Sequence, residues 1–103
     1  MRRAYLFIYN DKVGSRDEVK EAIDSIPEVV TWRSEIPNSF ILVSEAKADE
    51  LADRIIEHIG GDGLFLITEI PDNSQGLLSE RSWHIINERS LPPKRKQRLK
   101  GRG

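Results

Sequence analysis

Short apolar runs of strand length alternate along this chain with two stretches whose apolar residues recur at helical spacing, and their order restricts the fold most. Residues 4–9, AYLFIY, are apolar or aromatic at every position, as expected of a central strand covered on both faces. NDKVGS then turns. Ser15 and Glu18 have capping-box spacing, in which each side chain satisfies a free amide at a helix start. Val19, Ala22, Ile23 and Ile26 follow on one helical face, and Pro27 ends it. Residues 29–35, VVTWRSE, read as a strand, IPNS as a turn, and FILVSE as a strand pairing back in a hairpin. Ala48, Leu51, Ala52, Ile55, Ile56 and Ile59 mark a second helix over 47–59, closed by the glycines of GGDG at 60–63. LFLITEI is the fourth strand, and SWHIIN at 82–87 is a candidate short fifth one. The order β-α-β-β-α-β predicts an α+β, ferredoxin-like fold: one antiparallel sheet with two helices on one face. That fold hosts many functions and names none.

A chain of 103 residues argues for one domain, enough for one core and too small for a deep pocket. There is no cysteine, which excludes a disulfide framework and thiolate chemistry and fits a cytoplasmic protein. No apolar run reaches membrane-spanning length. MRRAYLFIYND reads as a first strand, since its apolar run is short and no small-residue cleavage site follows. The net charge of −1 conceals a division at residue 91. Residues 1–91, the expected domain, hold ten basic and 17 acidic residues, whereas the tail 92–103, PPKRKQRLKGRG, holds six basic and no acidic ones. Lys94, Arg95, Lys96, Arg98, Lys100 and Arg102 are therefore the candidate nucleic-acid contacts, acting on phosphates without regard to sequence. Two other readings of the tail are a disordered solubilising end and a partner for acidic surface.

Two helices cover one face of a four-stranded sheet, so the other face needs a cover. If Ala4, Leu6 and Ile8 meet the helices, Tyr5, Phe7 and Tyr9 line the open side; the reverse assignment also leaves apolar groups there. Unpaired RNA bases, a second copy of the sheet, or the chain's own loops and tail would each suit such a face. The base-stacking reading wants cations, and these strands offer Glu35, Glu45 and Glu69 instead. A homodimer is expected, with Tyr5, Phe7, Tyr9, Trp83, His84 and Ile85 as its interface.

With YLFIYND as first strand, VVTWRSEIPNSFILVSE as hairpin, KADELADRIIEHI as second helix, LFLITEI as fourth strand and WHII near the end, the chain resembles a known group over residues 4–87. It is similar to the small ferredoxin-like proteins of the CRISPR-associated integration-scaffold family and their SinR-like and virulence-associated protein D relatives. The resemblance implies homodimers with facing sheets, DNA binding as a non-catalytic scaffold beside an integrase, and, in some members, metal-dependent nuclease activity. The nuclease members place an aspartate directly after the first strand. Asn10 occupies that position here and Asp11 lies one residue later. An amide lacks the charge that a hard cation prefers, and a one-residue shift redirects a side chain. Asp11 is thus the one candidate catalytic and metal-binding residue, for magnesium or manganese, set against its reading as a plain turn residue.

His58 reads as a helix-end cation and His84 as a partly buried interface residue. GGDG ends a helix where a phosphate cradle would begin one, and Trp32 and Trp83 read as packing anchors. The reading taken is a homodimeric, nucleic-acid-associated or structural subunit. A metal-dependent endonuclease of RNA or DNA using Asp11 is one alternative, and a toxin-like or protein-protein interaction module is the other.

Overall fold

The computed structural model describes residues 1–59 and 62–90. Its elements are β1 (Arg3–Tyr9), a short 3-10 turn (Asp11–Val13), α1 (Arg16–Asp24), β2 (Val29–Arg33), β3 (Ser39–Ser44), α2 (Ala48–Ile59), β4 (Phe65–Glu69) and α3 (Glu80–Glu88). The antiparallel sheet has the order β2-β3-β1-β4, the arrangement of a ferredoxin-like α+β domain with β1 and β3 at its centre. α1 begins with the expected box: Ser15 Oγ accepts from the Glu18 amide and the Glu18 carboxylate accepts from the Ser15 amide. Gly60 and Gly61, expected to close α2, lie outside the described residues, as do residue 91 and the whole of the tail 92–103.

The aromatic side of β1 faces the helices, which corrects its expected place on the open side. Tyr5, Phe7 and Tyr9 form one cluster with Val19 and Ile23 of α1, Leu51 and Ile55 of α2, and Phe40 and Leu42 of β3. Phe7 stacks on Tyr9 at 5.4 Å and meets Phe65 edge-on at 5.5 Å between ring centroids. The reason is depth. The space beneath two helices takes long side chains, and the Tyr5 hydroxyl crosses it to donate to the Ala46 carbonyl at 2.7 Å. Burial pushes the pKa of both Tyr5 and Tyr9 upward. Both faces of β1 are apolar, so alternation carried no sign of which would turn inward.

SWHIIN is not a strand. It lies in α3, which packs on the opposite face of the sheet from α1 and α2. Ser79 caps the helix, its hydroxyl accepting from the Ser82 amide. Ser82, Ile85 and Ile86 then fall on one helical face, with both isoleucines against Ile41 and Val43. A period of 3.6 suits these positions, whereas strand alternation would put Ile85 and Ile86 on opposite sides. In β2 a bulge between Val29 and Thr31 shifts the register, so that Val29 and Trp32 both reach the helix-side cluster despite their odd spacing.

Candidate interaction surface

The turn after β1 is held by backbone pairing. Asn10 continues the ladder, donating its amide to the Leu64 carbonyl at 3.0 Å, while its side-chain oxygen accepts from the Leu64 amide at 3.1 Å. The side chain thus fastens the end of β1 to the chain entering β4. Gly63 lets the 3-10 turn approach: a Cβ there would lie 2.5 Å from the Val13 nitrogen and 2.6 Å from its Cα. Asp11 is exposed and accepts from Asn38 Nδ2 at 3.0 Å. The same Asn38 amide group donates to the Tyr9 carbonyl at 3.0 Å, and Asn38 sits at φ 61°, the left-handed conformation that asparagine tolerates in a hairpin turn.

A magnesium or manganese ion at this turn, as the resemblance implies, would need several oxygen ligands in a fixed shell. Asp11 brings one carboxylate, already hydrogen-bonded to Asn38. Among the described residues, no three or more His, Cys, Asp or Glu side chains are grouped to share an ion. The described residues of one chain therefore do not fit the metal.

The expected interface residues are mostly interior within the single chain. Tyr5, Phe7 and Tyr9 lie under α1 and α2, and Ile85 is fully buried between α3 and the sheet. Trp83 and His84 are half-buried, with His84 Nε2 3.5 Å from Ser90 Oγ. Lys94, Arg95, Lys96, Arg98, Lys100 and Arg102 lie outside the described residues. His58 is exposed near the end of α2, its Nδ1 2.8 Å from the Arg54 carbonyl.

The surface that does stand open is the other half of the second sheet face. α3 covers the β3 and β2 side of it. Toward β1 and β4, Ile8 and Leu66 remain 41% and 56% exposed, and they sit directly opposite each other in the ladder. Ile36 on the hairpin turn and Leu64 before β4 are exposed as well. Between this strip and α3 runs an apolar groove of about 240 Å³, floored by Leu6, Ile41 and Ile70 and walled by Leu78, Trp83 and Ile86. Exposed apolar groups gathered in this way mark contact surfaces more often than scattered single ones do.

The groove's rim carries the main electrostatic feature. The Glu35 carboxylate accepts from the Ser79 amide at 3.0 Å and lies 3.4 Å from the Arg33 guanidinium. Arg33 Nε donates to Ser82 Oγ at 3.1 Å. Hydrogen bonds from Ser79 above all, then from Ser82 and Arg33, hold Glu35 at about 2, against the opposing effect of its partial burial. An ionised carboxylate at a helix start also complements the dipole. Glu35 thus clamps the start of α3 to the end of β2 from 44 residues away. Sequence spacing could not show that pairing, although Ser79 before Glu80 was a readable cap signal.

No protein-family model, curated protein or solved structure matches this chain. The fold and its exposed surface describe a small α+β domain with an uncovered apolar strip.

Proposed function

We propose that this chain is a structural subunit that works by binding: a cytoplasmic homodimer of the kind that its resemblance to the CRISPR-associated scaffold family implies. Nucleic acid is its ligand through the C-terminal cations, and a protein such as an integrase is its partner. The observation that carries this reading is the apolar strip of Ile8, Leu66, Leu64 and Ile36 beside the groove. Removing such a surface from water is favourable by about 25 cal/mol per Å². An acidic body would by itself repel a polyanion, so the tail's six cations supply the phosphate contacts.

Light scattering at micromolar concentration tests the first half, with twice the chain mass of 11.8 kDa expected. A species that stays monomeric on concentration refutes it. Gel shifts with duplex and single-stranded nucleic acid across a salt series test the second half. Binding that is absent at low salt favours a protein-interaction module instead, and magnesium-dependent cleavage favours the nuclease.

A further inference from the structure

We infer that the free edge of β4 is where a second copy docks, β4 against β4 in antiparallel register, joining two sheets into one of eight strands. The inference rests on the self-association in the reading above and departs from its facing sheets: the two sheets meet edge to edge.

The sheet has two edges, and they differ. β2 is bulged between Val29 and Thr31 and ends in Arg33, both devices that discourage strand addition. β4, Phe65-Leu66-Ile67-Thr68-Glu69, has no lysine, proline, glycine or bulge, and its one charge lies 3.8 Å from Arg3 of the same sheet. Among the described residues no strand pairs with its outer side.

The ladder itself defines what that side offers. Asn10 pairs with Leu64 and Ile70 with Ala4, so the even positions of β4 direct their backbone groups to β1. Phe65, Ile67 and Glu69 therefore direct their amides and carbonyls outward. An antiparallel second copy with Ile67 facing the partner's Ile67 pairs every one of these groups. Phe65 then faces the partner's Glu69. The two Glu69 residues sit about 13 Å apart along the strands, so like charges do not meet. A register moved by two residues leaves outward groups unpaired, and one moved by four sets Glu69 against the partner's Glu69.

Exposed apolar side chains flank this edge on both faces. On the α3 side, Leu66 is diagonal to the partner's Leu66, within reach of a long side chain, and Ile8 extends the strip inward. On the other side lies α2. His58 borders a shallow pocket with Glu21 of α1 and Ser25 at its end, and Arg54 bonds Glu28 at 3.3 Å, so that flank of α2 looks toward α1. At 100° per residue Ile56 falls on the opposite flank, toward β4, and it is 51% exposed. Paired edges would bring the two α2 helices together there.

The test combines light scattering with residue-resolved amide exchange. In the dimer, the amides of Phe65, Ile67 and Glu69 become protected as concentration rises and lose protection on dilution. Leu66→Lys and Ile56→Lys, both at exposed positions and checked for unchanged circular dichroism, each raise the dimer dissociation constant about tenfold or more. Asn87→Lys, at an exposed position of α3, leaves it unchanged. A stable dimer whose three amides exchange freely, or that tolerates both lysines, overturns the β4 edge while sparing self-association. A chain that remains monomeric overturns both.

Discussion

Glu35→Ala should loosen α3 before it unfolds the sheet. The substitution removes the acceptor of the Ser79 amide at 3.0 Å and the carboxylate that Arg33 approaches at 3.4 Å. The depression of Glu35 from 4.5 to about 2 would correspond to about 3 kcal/mol in a site closed to water, and screening at this rim reduces that to about 1–2 kcal/mol. Loss of a helix cap gives the same magnitude independently, about 1 kcal/mol. Because the folded-state pKa is depressed, the stabilisation is complete above the unfolded value of 4.5 and is lost as pH falls from there toward 2. Urea unfolding of the parent and of Glu35→Gln, compared at pH 7 and pH 3, isolates this group from the other carboxylates, whose titration cancels in the difference. The parent's advantage over Glu35→Gln should shrink at pH 3. Amide exchange of Ile85 and Ile86 in Glu35→Ala should accelerate more than that of Phe7 and Leu42, since α3 opens as a local unit. Equal stability of parent and Glu35→Ala at pH 7, or a parent-variant difference independent of pH, would refute the clamp.

Gly63→Ala drives a Cβ against the Val13 backbone and should cost about 1–3 kcal/mol, read as a lowered melting temperature. Asp11→Ala removes the Asn38 contact and should cost about 1 kcal/mol with no change in nucleic-acid cleavage, the parent cutting weakly or not at all with magnesium or manganese. A robust parent activity that Asp11→Ala alone abolishes would establish the nuclease, and activity gained by Asn10→Asp in a silent parent would identify the amide as what withheld it. Deleting residues 92–103 should weaken binding to all nucleic-acid sequences alike and flatten the log-log salt dependence by up to about five units, whereas an unchanged slope would make the tail a bystander.

What the sequence determined by itself was local. The Ser15–Glu18 box, the apolar stripe of α2 and the hairpin of β2 and β3 rest on residues within a few positions of one another, and all three are present, with Ile56 of the stripe left exposed on its flank. Their order was enough for the ferredoxin-like arrangement, because short connections and antiparallel pairing leave few alternatives. That Asp11 lies in a turn was legible for the same reason, in the polar run NDKVG. Tertiary structure decided what local pattern leaves degenerate. Which face of β1 turns inward depended on the depth under α1 and α2, since both faces are apolar. Six residues, SWHIIN, were too few to separate a strand from a helix until Ser79, Glu35 and the Ile41–Val43 surface supplied a cap, a clamp and a floor. The tie of Asn10 to Leu64 and the close pass of Gly63 by Val13 join segments some fifty residues apart, and only packing brings them into contact. The open edge of β4 arises the same way: strand order, which no single segment encodes, leaves Phe65–Glu69 outermost among the described residues, with the backbone groups of Phe65, Ile67 and Glu69 directed outward.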